Sequence, residues 1–190
     1  LSQVDTAVFD KTGTLTKGEP SVTDIVTLSA MTEDELLSVV AAMEKSSEHP
    51  LVRAILARAK GLPEKEALEF SSFSGGGISA KIDGKTYFAG NERLLSENGI
   101  DCLAIKDRLH ELASEGKTPL IFADGKAPVG IIAVADSEKE NSASAIAALE
   151  KMHISSVMLT GDNELTANAV GKRLGVKKII AGVLPQNKEN

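Results

Sequence analysis

A single carboxylate at the end of a short apolar run constrains this chain more than any other feature. Val4 to Phe9 is apolar except for Asp5 and Thr6, and Asp10-Lys11-Thr12-Gly13-Thr14-Leu15-Thr16 follows at once. That order is a buried strand, then an acid, then a tight polar loop. A carboxylate at the end of a parallel strand can be held in line with a phosphoryl group. The small residues behind it leave backbone N–H groups to wrap the phosphate. Asp10 therefore reads as a covalent nucleophile that accepts a phosphoryl group. The competing reading is an N-cap aspartate that opens an ordinary loop.

A parallel sheet needs further strands joined by helices, and these come only in the last third of the chain. Ser155 to Leu159 is a strand, and Thr160-Gly161-Asp162-Asn163 follows it. Leu165, Ala169, Val170 and Leu174 recur at helical spacing up to Gly175, and Lys178 to Ala181 is another short strand. Before them, Ser137 with Glu140 has the form of a capping box for a helix carrying Ala143, Ile146, Ala147 and Leu149. Strand–helix–strand units with short joints indicate a parallel sheet to which the run 4–9 belongs.

The middle of the chain has a different pattern. Thr32-Glu33-Asp34-Glu35 is a capping box, and Leu36, Val39, Val40 and Met43 continue a helix to about Lys45. A second helix is expected with Pro50 in its first turn and Leu51, Ala54, Ile55 and Ala59 inward, stopped by Gly61. Ile78, Ala80 and Ile82 alternate with polar residues, Asp83-Gly84 is a two-residue hairpin turn, and Lys85 to Ala89 returns. A short helix over 92–97, a helix on Ile105, Leu109 and Leu112, and strands over 118–123 and 128–135 complete an α+β insert. The loop after Asp10 is expected to end near Gly18-Glu19-Pro20, with a strand over 22–28. The expected divisions are 1–22 for the first segment of the α/β domain, 23–126 for the insert and 127–190 for the second segment.

Composition excludes several classes. A net charge of -6 argues against a nucleic-acid groove. One cysteine, Cys102, excludes an internal disulfide and a cysteine-rich metal site, and it reads as a buried or neutral residue. No signal peptide is expected, since the start has neither a basic region nor a long apolar core, and the longest apolar run, Val129 to Ala135, is seven residues with Gly130 counted. A membrane span needs about 20, so the chain reads as soluble, and as a monomer.

A second phosphate-handling element stands beyond strand 155–159. The Thr160 hydroxyl and the N–H groups of Gly161 and Asp162 can hold phosphoryl oxygens; taken singly, Thr-Gly-Asp also forms simple turns. Lys188 is a candidate cation for the nucleophile and phosphate, or else a solvated lysine. Phosphoryl transfer needs countercharge, so Mg²⁺ is expected, with an Asp10 carboxylate oxygen and the Thr12 carbonyl as ligands.

The seven residues from Asp10 to Thr16 resemble the phosphorylation signature of P-type ATPases, cation pumps that pass through an aspartyl-phosphate. Met158-Leu159-Thr160-Gly161-Asp162-Asn163 matches that family's second phosphate motif, and Leu184-Pro185 through Lys188 resembles its lysine segment, with Asn187 where an acid is usual. Ser47-Glu48-His49-Pro50-Leu51, Gly75-Gly76-Gly77-Ile78 and Gly90-Asn91 narrow the resemblance to the heavy-metal (P1B) branch, of copper type or its relatives. The resemblance implies a haloacid-dehalogenase-like P domain with a parallel sheet, interrupted by an inserted nucleotide-binding N domain. It implies that ATP is the phosphoryl donor and that Asp10, Thr12, Thr160 and Lys188 are catalytic. Phosphate contacts fall on Lys11, Thr12, Gly161 and Asp162. His49 lies against adenine and Glu44 takes the matching purine-contact position. Gly75, Gly77, Ile78, Gly90 and Asn91 line the same pocket, and Asp136 matches an acid near the domain junction.

The family also has transmembrane helices, an actuator domain and a later Gly-Asp-Gly-x-Asn-Asp motif that completes the Mg²⁺ site, and none is found in this sequence. The expectation is therefore a cytoplasmic ATP-binding portion of a membrane pump, with an incomplete P domain, that binds ATP or ADP with little or no turnover by itself. Two rivals stand beside it. A soluble phosphatase of the same fold normally carries a second acid two residues after the nucleophile, where this chain has Thr12. A non-catalytic nucleotide-binding module needs no acceptor at Asp10.

Overall fold

The computed structural model describes residues 4–47 and 51–183, and among these the chain divides into two compact units. The first holds the residues up to Glu19, His110–Thr118 and those from Ala135 onward; the second holds Pro20–Leu109 and Pro119–Val134.

The first unit is built on a parallel sheet. Strand β1 (Thr6–Asp10) pairs in parallel with a strand from the far end of the chain, Ser155–Leu159, which in turn pairs with Lys178–Ile180. The register is fixed residue by residue, from Thr6 opposite Ser155 to Asp10 opposite Leu159. Helices Ser142–Lys151 and Glu164–Leu174 supply the apolar cover. Ile146, Ala167, Val170 and Leu174 close on Met158 and Leu15, with Phe9 and Ile179 packed against them. The helix over 164–174 starts because the Asn163 side chain accepts the Thr166 N–H at 2.9 Å, and it stops because Gly175 adopts φ +76°.

The second unit is α+β. Strand β2 (Thr16–Thr27) is an edge of a sheet in which it neighbours β7 (Pro128–Glu138), followed by β6 (Thr118–Ala123), β5 (Lys85–Gly90), β4 (Gly77–Ile82) and β3 (Leu68–Phe73). From β3 to β6 the pairing is antiparallel. The strands after β7 are β8 (Ser155–Leu159) and β9 (Lys178–Ile180). Helices α1 (Glu33–Glu44) and α2 (Val52–Arg58) cover this sheet. Leu36, Leu37, Val40, Met43 and Ile55 are fully buried in one cluster with Ile78, Ile82 and Phe122. Each such side chain contributes about 1.5–3 kcal/mol on burial. The remaining helices are α3 (Glu92–Glu97), α4 (Lys106–Ser114), α5 (Ser142–Lys151) and α6 (Glu164–Leu174). No helix among the described residues is long and apolar enough to cross a membrane. Cys102 is buried, and burial pushes its thiol pKa up.

Most sequence-derived elements recur. The Thr32 capping box is complete: Thr32 Oγ1 accepts the Glu35 N–H at 3.2 Å and Glu35 accepts the Thr32 N–H at 2.8 Å. Asp83 and Gly84 both have positive φ, 49° and 79°, as a type I′ hairpin turn requires. Two expectations fail. The Ser137–Glu140 pair caps nothing: β7 runs on to Glu138, and α5 begins after Asn141 with no side-chain cap. The strand after Asp10 begins at Thr16 rather than at Val22, because Pro20 needs no ladder partner on an edge strand. Residues 110–118 cluster with the first unit because Thr166 Oγ1 donates to the Lys117 carbonyl at 2.8 Å and Arg173 Nη1 to that of Glu115 at 2.9 Å. Pro50 lies outside the described residues.

The glycines of the β4–β5 pair differ in what they demand. A Cβ at Gly77 would meet the Ala89 carbonyl oxygen at 2.0 Å, and one at Gly90 would meet that of Gly76 at 2.3 Å. Gly75 has φ +67° but faces open space. Gly77→Ala is therefore expected to lose about 3 kcal/mol through overpacking against backbone, and Gly75→Ala only the left-handed penalty of about 1–2 kcal/mol. Urea denaturation midpoints of the two variants measure the difference.

Candidate active site

Asp10 ends β1, and its neighbour across the ladder, Leu159, ends β8. Thr160 follows directly, so the two residues stand at the carboxyl ends of adjacent parallel strands, where open α/β sheets hold their ligands. After Asp10 the backbone turns sharply. Thr12 (φ -73°, ψ 123°) and Gly13 (φ 76°, ψ -11°) are the central residues of a type II turn, and the Thr16 N–H closes the wider loop on the Lys11 carbonyl. A Cβ on Gly13 would meet nothing within 4 Å, so its requirement is the positive φ alone.

Lys11 is buried and forms an ion pair with Asp162. The same Asp162 carboxylate accepts the Thr160 hydroxyl at 3.0 Å, and the Asp162 N–H donates back to Thr160 Oγ1 at 3.2 Å. Thr160 itself is 2% exposed, and its N–H donates to the Ile180 carbonyl at 3.0 Å. Thr118 Oγ1 lies 3.4 Å from the other Asp162 oxygen. The two phosphate motifs are thus joined side chain to side chain. Such a pair loses hydration on burial and persists only where further hydrogen bonds satisfy it; here Thr160 supplies one.

The loop is also held by a stretch that the sequence did not single out as a unit. Asp136 accepts the Thr16 hydroxyl at 2.5 Å and the N–H groups of Gly18 and Glu19 at 3.1 Å. The Leu15 carbonyl accepts the Lys139 N–H at 3.0 Å and the Ser142 hydroxyl at 2.7 Å. Lys139 Nζ donates to the Gly13 carbonyl at 2.7 Å. Only Asp136 carried a sequence signal, through the family resemblance. Lys139 and Ser142 had none, since their partners are distant in sequence.

In the second unit, Asn91 gathers the glycine turn. Its Nδ2 donates to the Gly75 carbonyl at 2.9 Å, its N–H to that of Gly76 at 3.0 Å, and its Oδ1 caps α3 by accepting the Leu94 N–H at 3.0 Å. Gly77 faces Gly90 in the β4–β5 register, and Ile78 is buried beside them in the core that also takes Met43. The next residue, Glu44, is 5% exposed, and its Oε2 has no hydrogen-bond partner among the described residues. Burial raises its pKa, a shift that a hydrogen bond from Ser47 only partly opposes. A buried acceptor left open on a helix end is suited to a ligand donor. His49 and Lys188 lie outside the described residues.

Among the described residues no three His, Cys, Asp or Glu side chains gather as a metal cage. Mg²⁺ asks for less, namely one or two carboxylates with waters and phosphate oxygens. Asp10 offers one carboxylate, while Asp162 is committed to Lys11 and Thr160. The donor set fits an ion shared with a bound phosphate.

Glu44 makes a stability prediction. With the carboxyl raised above its ordinary 4.5, the folded state binds the proton more tightly than the unfolded state. Its favourable contribution is full below the ordinary value and is lost as pH rises through the folded-state value. Glu44→Gln is expected to leave Tm unchanged near pH 4 and to raise it by about 2–4 °C at pH 8, as thermal melts at the two pH values would record.

Comparison with known proteins agrees with this geometry. A family model for haloacid dehalogenase-like hydrolases matches residues 4–190. The chain is 42% identical to a copper-transporting P-type ATPase of Rhizobium leguminosarum bv. viciae, over 100% of this chain and 23% of that protein. It is 40% identical to a cadmium-transporting ATPase of Staphylococcus aureus, over 99% of this chain and 27% of that protein. The solved structure of a zinc-transporting PIB-type ATPase in its E2.Pi state superposes with a TM-score of 0.71 at 34% identity, covering 97% of this chain and 30% of that one. The chain thus spans roughly a quarter of the length of these curated relatives, 23% and 27%. A carboxylate-tipped strand in a parallel sheet, followed by a type II turn and faced by Thr160, is accounted for by descent: the chain belongs to the haloacid dehalogenase-like hydrolase family and is similar, over nearly its whole length, to a portion of heavy-metal-transporting P-type ATPases.

Proposed function

We propose that this chain is the ATP-binding and aspartyl-phosphorylating portion of a heavy-metal cation pump, transporting copper or a related ion. One observation carries the reading: Asp10 ends β1 and Thr160 directly follows the adjacent parallel strand β8, and Lys11 and Asp162 tie their loops together. An Asp10 carboxylate oxygen attacks the γ-phosphorus of ATP, the bond from that phosphorus to the bridging oxygen breaks, and ADP leaves with the electron pair. Thr12, the Thr160 hydroxyl and the Gly161 N–H hold the phosphoryl oxygens in line, and Lys188 supplies a further positive charge. Lys11, held by Asp162, adds a cation beside the acceptor. Asp10 and the Thr12 carbonyl would hold Mg²⁺, which supplies countercharge on the phosphoryl oxygens when bound.

The nucleotide half belongs to the inserted unit, with 23–126 as the N domain and 1–22 with 127–190 as the P domain. Glu44 accepts a hydrogen bond from the base and His49 stacks on it. Gly75, Gly77, Ile78, Gly90 and Asn91 form the wall of that pocket near the ribose and phosphates. Thr12 in place of a second acid favours a lasting acyl phosphate over the hydrolysis of a soluble phosphatase. In the intact pump the remaining domains, transmembrane and actuator, use that phosphoenzyme, and this portion works on the cytoplasmic face of the membrane.

The test is transfer of label from γ-labelled ATP in Mg²⁺ to the intact protein. Hydroxylamine-sensitive incorporation, abolished by Asp10→Asn, is expected. Glu44→Gln is expected to weaken ATP binding about tenfold by removing a charged acceptor, read by titration. Labelling that survives Asp10→Asn would sink the assignment of the acceptor.

A further inference from the structure

The stretch 136–142 holds the loop behind Asp10 at several points, and one of them differs in kind. Asp136 and Ser142 act through a carboxylate and a partly or fully buried hydroxyl, and Lys139 through both its backbone and its side chain. The Lys139 side chain is exposed, yet Nζ is spent on the Gly13 carbonyl at 2.7 Å. No carboxylate among the described residues pairs with it. Lys11, by contrast, has its charge met by Asp162. An exposed carbonyl is well served by water, so satisfying it does not account for a cation there.

Gly13 is the weak point of the turn. It needs φ +76°, a Cβ there would meet nothing within 4 Å, and apart from Lys139 it is held through its N–H, which donates to Thr16 Oγ1 at 3.3 Å. Because the peptide is planar and trans, fixing the direction of the Gly13 C=O also fixes the Thr14 N–H that points the opposite way. A cation on that carbonyl does two things at once. It narrows the conformations of the loop, and it adds positive potential three residues after the acceptor.

From this geometry we infer that Lys139 is a positioning residue for phosphoryl transfer: through the Gly13 carbonyl it sets the turn behind Asp10 and draws phosphoryl oxygens to it. The inference rests on the reading of Asp10 as the phosphoryl acceptor. The whole chain is compared as wild type, Lys139→Met and Lys139→Arg. In Lys139→Met the Gly13 carbonyl-carbon and Thr14 amide NMR signals are expected to move. Labelling of Asp10 from γ-labelled ATP is expected to slow about tenfold, with ATP affinity held within about twofold. Lys139→Arg, which brings an N–H donor and a charge to the same carbonyl, is expected to restore labelling to within about threefold. Unmoved signals, an unchanged rate in Lys139→Met, or no rescue by Arg overturns the inference. If the wild type takes no label, the proposed function fails separately, and beryllofluoride titration decides Lys139. Binding weakened in Met and restored in Arg supports it, while equal or absent binding in all three overturns it.

Discussion

The pairing of Thr6–Asp10 with Ser155–Leu159 is the contact on which the rest of the molecule depends. It joins residues near opposite ends of the chain, and everything between them becomes an excursion from one sheet. Only this register sets Asp10 beside Leu159 and so beside Thr160. A slip of one residue would turn every side chain of β1 to the other face and remove the carboxylate from its loop. The covering helices reinforce it from below, since Met158 is fully buried against Ala167 and Val170.

The pairing places the carboxylate, and the turn behind it is ordered both by Thr16, which bonds to Gly13 and Lys11, and from farther along the chain. The segment from Asp136 to Ser142 supplies acceptors to Thr16, Gly18 and Glu19 and donors to Gly13 and Leu15. This arrangement also explains why β7 outruns its expected end. Asp136 is fixed by three donors, and the Lys139 N–H is taken by Leu15, so the chain stays extended where a helix cap would have bent it. The same Ser/Thr-x-x-Glu spacing that nucleates α1 at Thr32 is silent at Ser137, because long-range partners outbid the local bond.

Local chemistry was therefore legible and distant chemistry was not. The Asp83-Gly84 turn, the Thr32 box and the Gly175 stop each follow from residues within one or two turns of chain. Asp10 and Thr160 could be placed at strand ends from patterning alone. The Lys11–Asp162 pair and the hold of Lys139 on Gly13 arise from packing between elements far apart in sequence, and no spacing rule encodes them. The family resemblance makes Gly75, Gly77 and Gly90 part of the wall of a nucleotide pocket. At Gly77 and Gly90 the space is already filled by the facing backbone, so the hairpin needs them before any nucleotide does.

The sheet order has a consequence in time. At a synthesis rate of about 5–20 residues per second, roughly seven to thirty seconds separate the emergence of β1 from that of its partner β8. For that interval β1 lacks β8, its partner in the parallel pair. The insert, rich in hairpins between neighbouring strands, can fold meanwhile from contacts close in sequence. The nascent chain can thus carry a folded second unit while its first strand still waits for β8.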